Sequence, residues 1–168
     1  MKLTVYTDYT LRLMMYLAVK QPQDGITTID EIAAAYDISR AHLMKIVHEL
    51  GQHGFIETIR GRAGGMRLAR PPREISVGDL VRMTEKDFAV VPCHDPEVDA
   101  NCAILPACNL KRVLRRAVDA FMQELDKVTL QDTVTNHGIA APLLGLSTTG
   151  GGIPIVVTRL KRPSRRKD

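Results

Sequence analysis

Three cysteines, Cys93, Cys102 and Cys108, lie within sixteen residues of a chain that has no other cysteine. An odd number of thiols cannot all pair in disulfides within the chain. Because the N-terminus also lacks the apolar stretch and cleavage site of a secretory signal, we expect a reduced compartment and either a bound metal or a redox switch. The chemistry predicted for this segment is that of soft thiolate ligands.

The spacing of the cysteines, nine residues and then six, bears on which metal they hold. Zinc knuckles place two ligands closer, as in Cys-x-x-Cys, which weakens a zinc interpretation without excluding it. Bridging sulfides separate the ligands of an iron–sulfur cluster, so a cluster tolerates wider spacing. Three thiols leave the fourth position to an oxygen or nitrogen group, from this segment, from elsewhere in the fold or from a second subunit. The candidates within the segment are His94, Asp95, Glu97 and Asp99.

The segment around the cysteines, residues 88–108, is predicted to be an irregular loop. Pro92, Pro96 and Pro106 interrupt it, and proline disfavours both helix and strand interiors. A loop of this length usually has a functional reason, and a bound cofactor is one. A single cysteine is often only a small buried hydrophobic residue. Since little apolar sequence lies between these cysteines, a metal site is the favoured interpretation.

Three helices are predicted in the first fifty or so residues, and a fourth, from about Ser76 to Thr84, just ahead of this loop. Asp8 is predicted to cap the first, because its carboxylate can accept hydrogen bonds from unpaired amide groups. Thr28 and Glu31 have the spacing of a capping box at the start of the second. Ser39 is predicted to cap the third, whose apolar residues recur at three- and four-residue intervals. Two helices joined by a short turn, over about residues 28–51, indicate a helix-turn-helix.

A β-hairpin with a basic tip is predicted next, over about residues 55–70. Two short β-prone runs flank a glycine-containing segment, and a hairpin directly after a helix-turn-helix is the wing of a winged helix. Between Arg40 and Arg70, six basic residues stand against two acids, so this stretch suits a phosphate backbone. The predicted contacts to base edges or phosphates are Ser39, Arg40, His42 and Lys45 on the helix, and Arg60, Arg62 and Arg67 on the wing.

A long amphipathic helix is predicted after Cys108. Apolar residues recur every three or four positions over some nineteen residues, and charged residues occupy the opposite face. Since a small winged helix already has its own core, we expect the apolar stripe to pack against a second copy in a homodimer, which also matches the symmetry of typical DNA sites. The stripe consists of Leu110, Leu114, Ala117, Phe121, Leu125 and Val128.

The predicted architecture is mainly α with a small β-wing: a winged helix-turn-helix followed by a long C-terminal dimerisation helix. Its predicted units are a DNA-binding domain at 1–87, a cluster-binding loop at 88–108, the dimerisation helix with a short terminal helix at 109–136, and a flexible basic tail at 137–168.

The net charge of +4 comes from the C-terminus. Residues 159–168 hold six basic residues and one acid, so the rest of the chain carries −1. A solvated tail is favoured over a phosphate-binding one. No apolar stretch approaches the length of about 18 residues that a membrane helix needs, and we expect a cytoplasmic protein with no membrane partner. The sequence has neither a glycine-rich nucleotide fingerprint nor a recognisable acid–base pair, so we do not expect an enzyme.

Four parts of the sequence together resemble one bacterial family. They are Leu3-Thr4 with Thr7-Asp8-Tyr9, Ser39-Arg40-x-His42-Leu43-x-Lys45-Ile46-Val47, Arg60-Gly61-x-x-Gly64-Gly65-x-x-Leu68, and the run from Ile104 to Leu110. With these motifs the chain resembles the NsrR branch of a family of dimeric winged-helix regulators, which also includes the iron–sulfur regulator IscR. The resemblance covers about residues 1–135.

The resemblance implies an iron–sulfur cluster on the three cysteines. In the NsrR branch it implies a 4Fe-4S cluster whose fourth ligand is an aspartate near the N-terminus of the partner subunit, and Asp8 has that position here. The IscR branch has a histidine three residues after the last cysteine, where this chain has Lys111, which argues for the NsrR branch. A 2Fe-2S cluster is the alternative. Asp8 is thus expected either to cap the first helix or to bind the cluster.

The same resemblance implies a function. The chain is expected to be a homodimeric transcriptional repressor that binds double-stranded promoter DNA while its cluster is intact and releases the DNA when nitric oxide nitrosylates the cluster. One alternative within the family is a regulator that responds to iron or cluster status through a 2Fe-2S cluster. Alternatives of a different class are a redox or electron-transfer protein, and a zinc-binding partner module.

Overall fold

A computed structural model of the 168-residue chain describes residues 2–20, 25–95, 97 and 101–146. Within these residues, the regular structure consists of six α-helices and one two-stranded antiparallel sheet. Short 3-10 turns cover residues 72–74, 92–94, 105–107 and 132–134. The helices are α1 (Val5–Lys20), α2 (Ile29–Tyr36), α3 (Arg40–Gln52), α4 (Val77–Thr84), α5 (Asn109–Asp126) and α6 (His137–Leu143), and the strands are β1 (Ile56–Ile59) and β2 (Gly65–Leu68).

The helix-turn-helix predicted at about 28–51 is formed by α2 and α3. Thr28 and Glu31 make the predicted capping box at the start of α2, and the Ser39 hydroxyl caps α3 by accepting from the His42 amide at 3.4 Å. Between the helices, Asp37 adopts a left-handed backbone with φ of 55°, a conformation that Asp tolerates better than most residues. Four apolar residues of α3 are buried against α1 and α2: Leu43, Ile46, Val47 and Leu50.

The prediction that Asp8 caps the first helix is wrong. Helix α1 begins three residues earlier, at Val5, and Asp8 lies inside it, with its amide donating to the Thr4 carbonyl at 3.1 Å. The Thr4 hydroxyl accepts from the Thr7 amide at 3.2 Å, which is the geometry of a side-chain cap. Both residues are good capping types, and the earlier one starts the helix.

The predicted wing is formed by β1 and β2, which pair in antiparallel register from Ile56 opposite Leu68 to Ile59 opposite Gly65. Thr27 adds a bridge on the other side of β2, exchanging two backbone hydrogen bonds with Met66 at 2.7 and 2.9 Å. This bridge brings the Thr27 backbone so close to β2 that a Cβ on Gly65 would lie 2.5 Å from the Thr27 carbonyl oxygen. The wing is thereby fastened to the segment that leads into α2.

We therefore expect Gly65→Ala to lower the free energy of unfolding by about 1–3 kcal/mol, the usual cost of forcing extra atoms into a packed site. The matched control is Gly51→Ala in α3, where an added Cβ meets nothing within 4 Å and alanine favours the helix by up to about 1 kcal/mol. Urea denaturation followed by circular dichroism measures both. A Gly65→Ala protein as stable as the wild type would show that the wing does not need this close approach.

Helix α5 packs against α4 through a second apolar cluster, in which Val77, Val81 and Met122 are buried. An exposed ion pair ties the same two helices, since the Arg82 guanidinium donates two hydrogen bonds of 2.6 Å to the Asp126 carboxylate. The hydrogen bonds from Arg82 hold the pKa of Asp126 below its usual value. The C-terminal end of α5 is therefore anchored to the winged helix.

The predicted start of a flexible tail at residue 137 is wrong for its first ten residues. Helix α6 covers His137–Leu143 and packs on α1, with Ala141 fully buried in the main core. The His137 imidazole also pairs with the Val19 carbonyl of α1. The small apolar residues of this stretch fit a shallow surface of α1, a tertiary contact that the local sequence does not reveal. The rest of the predicted tail, 147–168, lies outside the described residues.

Candidate DNA interface and thiol-rich loop

The four predicted DNA-contacting residues at α3 are exposed, but three of them, Ser39, Arg40 and His42, are already engaged with other groups. Arg40 forms an ion pair with Asp30 of α2. His42 pairs with the Ser39 hydroxyl at 3.1 Å and packs against the Tyr9 ring, with centroids 5.9 Å apart. Lys45 lies on the outward face opposite the buried stripe. Of the predicted set, Lys45 is therefore the residue best placed to reach into a groove.

Several further residues of α3 share this outward face and were not singled out from the sequence. Met44 is 59% exposed, an unusual position for a large apolar side chain unless something covers it. These residues could have been identified from the sequence, because the helical period determines which positions lie opposite the buried residues 43, 46, 47 and 50. Besides Lys45, the exposed residues on this face are Ala41, Met44, His48 and Gln52.

The wing carries the second group of predicted contacts. Arg60 and Arg62 are exposed at the hairpin tip. Arg67 projects from β2 but donates to the Glu57 carboxylate across the sheet at 2.8 and 3.0 Å, so part of its charge is neutralised. Arg70, at the base of the wing, lies over the Phe55 ring with 4.9 Å to the centroid. The two tip arginines are thus the wing cations best presented to phosphates.

The three cysteines lie in the predicted irregular segment between α4 and α5, and none of them forms a disulfide. Cys102 is exposed, whereas Cys93 and Cys108 are half-buried. Cys93 lies in the 3-10 turn at Pro92–His94, and Cys108 directly precedes the first residue of α5.

A histidine contact holds the Cys93 turn against α5. The imidazole Nε2 of His94, one of the candidate fourth ligands, pairs with the Lys111 carbonyl in the first turn of α5 at 3.0 Å. The contact brings the Cys93 turn to the end of α5 where Cys108 lies. Cys102 approaches the same end through consecutive backbone hydrogen bonds, from the Leu105 amide to the Cys102 carbonyl and from the Cys108 amide to the Leu105 carbonyl.

The donor chemistry of this loop fits an iron–sulfur group, although the thiols are not gathered around one point. Three free thiols with partial exposure are suitable soft ligands. Within the described part of the chain, no three His, Cys, Asp or Glu side chains are close enough together to hold a metal ion. The described residues of the segment, 88–95, 97 and 101–108, form no regular structure beyond short 3-10 turns, so the thiols could converge without breaking a helix or strand there.

Asp8 lies away from the contacts that α1 makes with α3 and α4. Its side chain is 48% exposed and pairs with Arg12 one turn later at 2.9 Å. An exposed carboxylate with a single surface ion pair, worth at most about 1 kcal/mol, can exchange partners at little cost. The Asp8 carboxylate is thus accessible to a group that approaches α1 from outside.

The apolar stripe predicted on α5 divides into two parts. Toward the C-terminus, Phe121, Leu125 and Val128 pack beside α4 within the same chain. Toward the N-terminus, Leu110 of the stripe is 62% exposed, and Val113, which lies beside the stripe and was not part of the prediction, is 48% exposed. Only the N-terminal part is therefore uncovered, and it directly follows Cys108. None of the described helices is long and apolar enough to cross a membrane.

The comparisons with known proteins agree with this geometry. The family described as "Rrf2: Iron-dependent Transcriptional regulator" matches residues 3–136. The chain is 49% identical to the HTH-type transcriptional regulator NsrR of Bacillus subtilis over 136 residues, which cover 81% of this chain and 92% of the relative.

Two solved structures have a similar fold. The first is CymR (YrzC), the global cysteine regulator of B. subtilis, with a TM-score of 0.66 and 29% identity over 81% of this chain and 98% of that one. The second is T. potens IscR, with a TM-score of 0.64 and 26% identity over 83% of this chain and 90% of that one. The chain therefore belongs to the Rrf2 family of winged-helix transcriptional regulators, and it is a DNA-binding regulator and not an enzyme.

Proposed function

We propose that this regulator is a cytoplasmic, homodimeric repressor that senses nitric oxide through an iron–sulfur cluster, and that Cys93, Cys102 and Cys108 hold the cluster. The observation that carries the proposal is the position of the three free thiols, which lie between the winged helix and the uncovered end of α5. The 49% identity to a regulator named NsrR supports nitric oxide as the signal. When bound, the cluster supplies iron that reacts with nitric oxide.

The fourth ligand in this proposal is Asp8 of the partner subunit, and the cluster is of the 4Fe-4S type. Two observations support Asp8: its carboxylate is partly exposed, and its only described ion pair is a surface contact with Arg12. An oxygen ligand is exchangeable, so one iron would be easier to attack than the thiolate-bound ones. Because Asp8 would belong to the partner, the site requires the dimer.

The dimer in this proposal forms through the exposed N-terminal part of α5. Leu110 and Val113 provide uncovered apolar surface there, and burial of such surface drives association. A two-fold dimer would present two α3 helices and two wings to a palindromic site. Lys45 would then face the major groove, and Arg60 and Arg62 would reach phosphates beside it.

The cysteine loop controls DNA binding in this proposal because of where it lies. It joins α4, which packs in the winged helix, to α5, where we place the dimer contact. A change in the loop alters the separation of the two reading helices, and specific binding depends on that separation. For nitric oxide to change DNA binding, the protein must only have a different affinity for DNA when the cluster in the loop is intact than when it is lost.

The experiment is to purify the protein without oxygen and measure its affinity for a duplex that it selects from a random-sequence library, with and without a nitric oxide donor. We expect a brown protein whose affinity falls about 10-fold or more on addition of the donor, within the usual range of coupling between sites. Mössbauer spectra distinguish 4Fe-4S from 2Fe-2S. Unchanged affinity with nitric oxide would favour a cluster-status regulator, as the similarity to an IscR suggests. A colourless protein with one zinc per chain would overturn the proposal.

A further inference from the structure

The first turns of α1 contact the recognition helix α3 near both of its ends. The Tyr6 hydroxyl donates to the Glu49 carboxylate in the last turn of α3. One turn further along α1, the Tyr9 ring packs against His42 in the first turn of α3. Two contacts separated along the helix determine its direction as well as its position. A shift of this part of α1 therefore carries α3 with it.

The same turns of α1 are fastened to the end of α4. The Thr7 hydroxyl donates to the Glu85 carboxylate at 2.5 Å, and the Thr4 amide donates to the same oxygen at 2.7 Å. Thr7 is fully buried, so these bonds are protected from water on one side. Glu85 is the C-cap of α4, and the cysteine segment begins a few residues later. The start of α1 is thereby linked to the entrance of the thiol-rich loop.

Asp8 projects from the same two turns but contacts neither α3 nor α4 in the described hydrogen bonds and ion pairs. Tyr6, Thr7 and Asp8 are consecutive, so their side chains leave the helix about 100° apart. Tyr6 points to α3, Thr7 to α4, and the Asp8 carboxylate is partly exposed on a third side. One rigid helical turn thus combines the proposed ligand with a contact to the DNA-reading helix.

We propose that Tyr6, through its hydrogen bond to Glu49, is a positioning residue that transmits the state of Asp8 to the recognition helix. The inference rests on the proposed function, because it takes Asp8 as a ligand of the cluster. Binding at Asp8 fixes the first turns of α1, and the phenol–carboxylate bond fixes the last turn of α3 relative to them. Without the hydroxyl, α1 and α3 are held together only by apolar packing, which tolerates small sliding movements.

The alternative role for this bond is plain stabilisation of the fold, and the two roles differ in one measurable quantity. A purely structural bond contributes to DNA binding equally with and without the cluster, so removing it leaves the ratio of the two affinities unchanged. A transmitting bond contributes to one state more than the other, so removing it changes that ratio. The ratio of holo to apo affinity is therefore the decisive readout.

The experiment measures this ratio for Tyr6→Phe, using the duplex selected by the wild-type protein and fluorescence anisotropy without oxygen. We expect iron content, absorption spectrum and apo affinity to match the wild type, while the holo-to-apo ratio falls by about 10-fold, as expected for one hydrogen bond to a charged group. The matched control is Tyr16→Phe on the same helix, where the ring packs on Tyr36 at 6.3 Å. This control should keep the wild-type ratio.

Variants of Glu49 test the same bond from the other side. Glu49→Gln keeps a carbonyl that accepts from Tyr6, so it should shift holo and apo affinities together and preserve their ratio. Glu49→Ala removes the acceptor and should show the same lowered ratio of holo to apo affinity as Tyr6→Phe. It therefore tests the bond even if Tyr6→Phe folds poorly. A wild-type ratio in Glu49→Ala or in a folded Tyr6→Phe overturns the inference. A wild-type protein with equal holo and apo affinities instead overturns the proposed function.

Discussion

Replacing Cys102 with alanine is expected to reduce bound iron to background and to lower affinity for the selected duplex by about 10- to 100-fold, the usual range of coupling between two sites. Cys102 is exposed, so its replacement removes almost no packing, and the thermal midpoint of the iron-free protein should stay within about 2 °C of wild-type apo protein. The measurements are iron and sulfide analysis, absorption and anisotropy on protein prepared without oxygen.

The exposure of Cys102 is what gives this variant its diagnostic value. A cysteine that served only as a small hydrophobic residue would be buried, and its loss would lower stability and not iron content. The matched control is Ala107→Ser, an exposed position in the same loop, which should bind iron and DNA as the wild type does. Cys93→Ala and Cys108→Ala should both match Cys102→Ala in iron content. A full iron complement in any of the three would contradict the proposed ligand set.

The second large effect is expected from Val113→Glu, which places a carboxylate in the exposed apolar part of α5. In a two-fold interface the change appears twice, and each unpaired buried charge costs about 3–5 kcal/mol. We therefore expect a monomer at micromolar concentration, DNA affinity lowered by about 100-fold or more, and loss of the cluster, because Asp8 of the partner subunit would be missing. Sedimentation velocity measures the assembly state.

The control for this change is Gln123→Glu, which adds the same charge at an exposed position of the polar face, about three turns further along α5, and should remain dimeric. A monomeric wild-type protein, or a Val113→Glu protein that stays dimeric, would place the dimer contact elsewhere. The apolar residues nearer the C-terminus, such as Phe121, are unsuitable for this test, because they pack beside α4 and their replacement would disturb the fold itself.

The local elements could be predicted from the sequence because their signals are local. The Thr28–Glu31 capping box, the Ser39 cap and the buried stripe of α3 were each predicted and are confirmed. Each depends on residues within one or two turns of one another, where spacing alone determines which side chains meet. The wing could be predicted for the same reason, because its two strands are neighbours in the sequence.

The features that were predicted wrongly or missed depend on a choice between two capping residues or on contacts between residues far apart in the sequence. Asp8 and Thr4 are both good capping residues, and the choice between them follows from where Thr7 is buried against α4, about 80 residues away. Helix α6 has a weak local pattern and is stabilised by packing on α1. The Tyr6–Glu49 bond joins residues 43 positions apart. A single sequence gives no indication of such pairs.

In the candidate site, too, the local features could be predicted from the sequence and the long-range contacts could not. The prolines around Cys93, Cys102 and Cys108 predicted an irregular segment, and the structure has one there, whereas the binding of a cluster by the three thiols stays a prediction. The His94 contact with the Lys111 carbonyl could not be predicted, because a backbone acceptor leaves no mark in the sequence. On α3, the helical period alone would have identified Met44 and Gln52 as outward residues, whereas the predicted contacts lie between Ser39 and Lys45.

The most direct test of the central proposal is to titrate nitric oxide into the oxygen-free holo-protein bound to a fluorescent duplex, while recording cluster absorbance and anisotropy in the same sample. We predict that absorbance and bound DNA decline together and end at the same ratio of nitric oxide to cluster. Loss of the cluster absorbance while the DNA remains bound at its original affinity would contradict the proposal that the cysteine loop controls DNA binding.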